Sequence, residues 1–134
     1  MIKVDPEGQV LDFVMNDRCA AGTGRFLQVM AAALGLDVTD FSVLGEGKPS
    51  VQLNSMCAVF AESEVVGLLA AGCSKEEIIN GLHDSIARRM AAMAHRLNIG
   101  DRVTFTGGVA KNEGLRKALE KALQAEVLAP ELCR

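Results

Sequence analysis

Two cysteines stand in matching contexts. Asn16-Asp17-Arg18-Cys19-Ala20 and Asn54-Ser55-Met56-Cys57-Ala58 both read Asn-x-x-Cys-Ala, and each runs into a helical pattern. A helix start exposes unpaired N–H groups and a partial positive charge, which favours the thiolate, the form of cysteine that ligates metal. The same N–H groups suit the sulfurs of an anionic iron–sulfur cluster. The two positions lie far apart in the chain and form no local Cys-x-x-Cys signature, so the spacing fits two small buried apolar residues equally well. Cys73 and Cys133 lack the shared context.

The second chemical candidate is a pair of glycine-rich junctions. Thr106-Gly107-Gly108 follows a strand pattern and precedes a helix. Glycines there allow a ligand close to the backbone, and the helix start offers N–H groups to phosphate. Gly22-Thr23-Gly24 has the same character at the opening of the first helix. Each alone is also an ordinary tight turn. The Gly-x-x-x-x-Gly-Lys-Ser/Thr run of a P-loop is absent.

The elements that must position these residues can be read from periodicity. Ile2 to Val4 and Gln9 to Val14 alternate apolar with polar around Asp5-Pro6-Glu7-Gly8, which predicts a hairpin on a type I turn. The hairpin begins as if an earlier strand were missing. Phe26, Leu27, Met30 and Leu34 predict a helix over 23–34. A short helix over 38–44, a loop over 45–49 and a short strand over 51–53 follow.

Helical patterning resumes over 58–71 and stops at Gly72. Ser74 and Glu77 then form a capping box that opens a long helix ending near Leu97, with a stripe of Ile78, Ile79, Leu82, Ile86, Met90, Met93 and Leu97. Its methionines read as core filler, Arg88, Arg89 and Arg96 as a solvated face, and His83 and His95 as surface residues. A strand over 103–106, a helix over 112–123 and a strand over 126–128 complete the order. Strand, strand, helix, helix, helix, strand, helix, strand is an α/β arrangement.

Composition narrows the classes. With 134 residues, 49% apolar and 23% charged, the chain is one domain with a core, and its net charge of −3 argues against nucleic acid or an anionic membrane surface as partner. No apolar run approaches a membrane span, and the N-terminus lacks the pattern of a signal peptide. A cytoplasmic location is expected, where reduced cysteines serve metal or catalysis rather than disulfides.

Three stretches together carry a resemblance. Residues 15–26 (Met-Asn-Asp-Arg-Cys-Ala-Ala-Gly-Thr-Gly-Arg-Phe), 57–65 (Cys-Ala-Val-Phe-Ala-Glu-Ser-Glu-Val) and 106–112 (Thr-Gly-Gly-Val-Ala-Lys-Asn) resemble, in order, the activators of 2-hydroxyacyl-CoA dehydratases. These are related to the ATPase subunits of benzoyl-CoA reductase and belong to the actin/hexokinase/Hsp70-like superfamily. The resemblance spans almost the whole chain. It implies a partial ribonuclease-H-like, actin-like ATPase lobe, a mixed sheet with helices.

It also implies a homodimer with one [4Fe–4S] cluster per dimer, to which each subunit gives two cysteines matching Cys19 and Cys57. ATP or ADP with Mg is implied at Gly107 and Gly108, with Gly22, Thr23 and Gly24 and the acids Glu62 and Glu64 in bordering motifs. As plain residues, those acids need no ligand to explain them. The implied partners are a 2-hydroxyacyl-CoA dehydratase and an external reductant such as ferredoxin or flavodoxin.

By the same resemblance, residues 1–134 form most of a second lobe. A first lobe, the phosphate loops and a final helix lie outside them, so ATP hydrolysis is not expected of these residues alone. Three other readings remain. The chain could belong to a benzoyl-CoA-type reductase or to a cluster-free kinase of the superfamily. It could also be an interaction module in which the long helix docks a partner and the cysteines are core.

Overall fold

The computed structural model describes residues 1–15, 23–55 and 57–131. Strands β1 (Ile2–Val4) and β2 (Val10–Phe13) pair antiparallel, with Ile2 opposite Phe13 and a register irregularity between Lys3 and Val4. The turn closes through the Gly8 amide donating to the Asp5 carbonyl at 3.0 Å, and the Asp5 carboxylate accepts from the Gln9 amide at 2.7 Å. Proline and glycine at the second and fourth turn positions favour this geometry.

Helix α1 (Thr23–Leu34) buries Phe26, Leu27, Met30, Ala31 and Leu34, an i, i+3, i+4 pattern that gives it one core-facing side. A 3-10 turn over Val38–Ser42 follows, capped at Asp37, whose carboxylate accepts from the Thr39 amide while Asp40 accepts from the Asp37 amide. Helix α2 (Ala58–Ala70) is followed by its C-cap Ala71 and then by Gly72. There φ is +89°, a conformation that costs glycine little and other residues more.

Helix α3 (Lys75–Leu97) opens with the expected capping box. The Ser74 hydroxyl accepts from the Glu77 amide, and the Glu77 carboxylate accepts from the Ser74 amide at 2.8 Å. Its 23 residues span about 34 Å and form the spine of the core. Strand β3 (Arg102–Thr104) leads through a 3-10 turn (Gly108–Lys111) and helix α4 (Glu113–Leu123) to β4 (Glu126–Leu128), which pairs with β3 in parallel. The described strands thus form two separate two-stranded sheets. The Lys3 ammonium donates to the Asn98 carbonyl at 2.8 Å, linking the hairpin to the end of α3.

Three expectations are corrected. Residues 51–53 form no strand, because their backbone bonds to α3: the Val51 amide donates to the Glu77 carbonyl at 3.2 Å, and Arg88 Nη2 donates to the Leu53 carbonyl at 3.2 Å. His83 is buried, at 2% exposure, among Phe41 and the start of α4, while His95 is exposed as expected. Arg89 is half-buried rather than solvated and sits over the Phe26 ring, 5.9 Å from its centroid. Among the described residues its Nε and Nη2 have no hydrogen-bond partner, and burial holds its pKa below the ordinary value.

The approach of segment 51–53 to α3 depends on Gly81. A Cβ there would fall inside the contact distance of the Val51 carbonyl oxygen and lie 2.9 Å from Leu53 Cδ1. Alanine is the better helix former, yet a clash with backbone cannot relax by a rotamer change. Gly81→Ala is therefore expected to destabilise the protein by about 2 kcal/mol in urea unfolding, where unchanged stability would show that the segment yields freely.

Candidate functional site

The 3-10 turn Gly108–Lys111, which follows the carboxyl end of β3, borders a cavity of about 410 Å³ that is also bounded by α1 and the 3-10 turn Val38–Ser42. Ligands of open α/β proteins favour this side of a sheet, and the volume is in the range of small-molecule sites, roughly 300–1,000 Å³. Gly24, Leu27, Gln28, Val38, Thr39, Ser42, Gly108, Val109, Lys111 and Asn112 line it. The wall is mostly apolar, with a few polar side chains, which suits a flat aromatic base held by a small number of hydrogen bonds.

The two glycine-rich junctions meet here. A Cβ at Gly24 would lie 3.3 Å from Val109 Cγ2, so the absence of a side chain lets α1 approach the second 3-10 turn. Gly107 caps that turn at φ +99° and ψ 176°, and its carbonyl accepts from the Ala110 amide at 3.0 Å. Thr23 is the first residue of α1. Gly22 lies outside the described residues. Sequence reasoning missed Gln28, Val38, Thr39 and Ser42, which carry no motif. Asn112 had a readable signal, since asparagine before an apolar helical pattern is a strong cap.

Ser42 stitches the two turns together. Its hydroxyl donates to the Lys111 carbonyl at 3.4 Å and accepts from the Glu113 amide at 3.1 Å. Asn112 caps α4 by accepting from the Leu115 amide at 2.9 Å, and its side-chain amide lies 3.2 Å from His83 Nε2.

Cys57 occupies the N-cap of α2, in extended conformation (φ −88°, ψ 135°), half-buried, with its carbonyl accepting from the Ala61 amide at 2.8 Å. Asn54 and Ser55, a little before it, are held by Glu64. That carboxylate accepts from the Ser55 amide at 2.9 Å and from the Asn54 amide at 3.1 Å. Desolvation alone would raise the Glu64 pKa, but the hydrogen bonds from Ser55 and Asn54 outweigh it and hold the group below its ordinary value. Glu62 is exposed, and neither acid lines the cavity.

Val59 and Phe60, in the first turn after Cys57, are both more than two-thirds exposed. Cys19 and Cys133 lie outside the described residues; Cys73 is half-buried beside the core. Among the described residues no group of three or more histidines, cysteines or acids is gathered around a common metal position. No described helix is long and apolar enough to cross a membrane.

Burial holds the His83 pKa down to about 4 from 6.5, with Asp84 opposing. Between those values the unfolded chain binds a proton that the folded chain does not. The stabilisation from neutral His83 is thus complete above pH 6.5 and is lost as pH falls toward 4. Two and a half units correspond to on the order of 3 kcal/mol. Urea unfolding at pH 7.5 and pH 4.5 is expected to show this component in the wild type and not in His83→Gln; equal pH slopes would contradict it.

The chain as a whole is similar to known proteins. The chain is 47% identical over 128 residues to the (R)-2-hydroxyglutaryl-CoA dehydratase activating ATPase of Acidaminococcus fermentans, covering 95% of this chain and 49% of that protein. It is 39% identical over 133 residues to the 2-hydroxyisocaproyl-CoA dehydratase activator of Clostridioides difficile, covering 98% of this chain and 50% of that protein. The solved structure of the activator of the 2-hydroxyisocaproyl-CoA dehydratase from Clostridium difficile with bound ADPNP matches with a TM-score of 0.91 at 39% identity. That match covers 97% of this chain and 49% of that one.

The chain therefore spans about half the length of the curated relatives it matches, and its fold is that of an actin-like ATPase lobe. Residues 1–131 match the model of the BadF/BadG/BcrA/BcrD ATPase family, and the chain belongs to that family.

Proposed function

We propose that this chain is part of an ATP-dependent one-electron donor that reductively activates a 2-hydroxyacyl-CoA dehydratase. In this reading residues 1–134 are most of the second lobe of the longer protein. Two copies hold one [4Fe–4S] cluster through Cys19 and Cys57 of each. The observation that carries the reading is the placement of Cys57 at the N-cap of α2, shortly after the Asn54 and Ser55 amides that donate to Glu64.

The donor set fits such a cluster. Thiolates are its usual ligands, and the first amides of α2 need no partner within the helix. Val59 and Phe60 offer an apolar rim of the kind a subunit contact buries. A two-fold axis converts two ligands per chain into the four that a cubane needs. Bound there, the cluster would supply a single low-potential electron, delivered by an external reductant such as ferredoxin or flavodoxin.

The cavity beside the turn after β3 is assigned to the nucleoside of ATP or ADP, with Gly108, reached through Gly107, on one side and Gly24 on the other. The phosphates and Mg of a bound nucleotide would be held largely by residues of the longer protein outside this segment. Nucleotide can drive a change at the cysteines only if it binds two states with different affinity.

The test is anaerobic purification of the whole protein, followed by iron and sulfide analysis and a mass measurement of the assembly. About four iron atoms per dimer are expected for one cubane. Protein that stays iron-free after anaerobic reconstitution, while binding ADP normally, would overturn the cluster assignment and leave the nucleotide assignment standing.

A further inference from the structure

We propose that His83 is the positioning residue of the nucleotide pocket, acting through Asn112 on the Gly107–Asn112 turn; this rests on the nucleotide reading above. His83 does not line the 410 Å³ cavity. It stands behind its wall. Asn112 spends its side-chain oxygen on the Leu115 amide, so its Nδ2 faces His83 Nε2 at 3.2 Å in a buried contact. An amide nitrogen can only donate, so Nε2 must accept, and the ring carries its proton on Nδ1.

The ring has little freedom to leave this arrangement. It is 2% exposed, Phe41 packs edge-on with centroids 6.3 Å apart, and the Gly114 backbone presses against it. A Cβ at Gly114 would sit 2.7 Å from His83 Cε1, so α4 approaches the imidazole as closely as only a glycine permits.

What His83 fixes is therefore a wall rather than one side chain. The Asn112 amide donates to the Val109 carbonyl at 2.9 Å, and the Ala110 amide donates to the Gly107 carbonyl at 3.0 Å, so the turn is closed at both ends. Gly108, Val109 and Asn112 of that turn face the cavity. Removing the acceptor at residue 83 would leave a buried amide donor unpaired. That loss is relieved by rotating Asn112 and loosening the turn, at the expense of nucleotide contacts.

Titration calorimetry with ADP on the anaerobic whole protein tests the proposal, with iron content measured alongside. His83→Leu fills the space without an acceptor, and the ADP Kd is expected to rise about tenfold, the worth of one buried hydrogen bond. His83→Gln restores an acceptor and is expected to recover most of the affinity. Iron content should not change in either. If His83→Leu does not fold, His83→Val serves, since valine offers no acceptor and leaves the cavity-lining Asn112 in place; the same weakening is expected.

Variants that melt earlier yet bind ADP as the wild type does would show a purely structural role and overturn the proposal. So would a His83→Gln protein no better than His83→Leu. Failure of the wild type itself to bind ADP would instead overturn the nucleotide reading and the proposal with it.

Discussion

With the proposed cluster in place, Cys57→Ser in the whole protein is expected to abolish the iron–sulfur absorbance and lower electron delivery to the proposed dehydratase partner by on the order of 100-fold or more. The substitution is close to isosteric, but a serine hydroxyl does not ionise near neutral pH and so presents no thiolate to iron. Unfolding would not explain the loss. Residue 57 is the N-cap of α2, and serine is a better cap than cysteine, so the helix should be held at least as well. The Glu64 clamp on Asn54 and Ser55 would also be untouched. ADP affinity is expected to stay within about twofold, because the cavity shares no residue with the α2 start. Full iron–sulfur absorbance in anaerobic Cys57→Ser would reject the ligand assignment.

Gly107→Val should raise the ADP Kd by about tenfold or more while leaving the iron content as it is. The cause is backbone strain rather than a clash, since a Cβ at Gly107 meets nothing within 4 Å. At φ +99° a β-branched residue costs roughly 1–3 kcal/mol, and the turn would escape by rotating the wall of the cavity. Gly108 provides the contrast. It has no positive φ and open space around its missing side chain, so Gly108→Ala strains nothing in the protein. Any loss of affinity in that variant would measure how closely the nucleotide approaches. Calorimetry on both separates the two roles, and unchanged ADP affinity in Gly107→Val would remove the turn from the site.

Much of this architecture was legible because local rules and tertiary packing agree. Ser74 and Glu77 name the start of α3, Gly72 names the stop after α2, and the apolar stripe of α1 gives both of its ends. His83 was misread, although the signal was present. It lies four residues after Ile79 and three before Ile86, on the buried stripe itself. Polarity masked the periodicity, because a histidine is buried only when a partner such as Asn112 waits for it, and that partner comes from another helix. Arg89, one step further along the stripe, was misread too: what receives it among the described residues is no hydrogen-bond partner but the Phe26 ring of α1.

The alternation of Val51, Gln52 and Leu53 mimics a strand. What the backbone pairs with there is a helix carbonyl and a guanidinium, which no local pattern announces. Of the site, the glycines and cysteines could be named in advance. Gln28, Thr39 and Ser42 became candidates only when folding set two short turns against α1.

The hairpin β1–β2 carries Ile2, Val4, Val10, Leu11 and Phe13, each more than half exposed, on both of its faces. A two-stranded ribbon gains little from its own pairing, and apolar side chains on an unprotected edge invite another strand to add on. In a preparation of these 134 residues by themselves, the amides of this ribbon should be the first to exchange with deuterium. Concentration-dependent association should start there as well. Self-association of the isolated segment would then report ribbon stacking and not a cluster-bridged pair, and charged replacements at Val4 and Phe13 would tell the two apart.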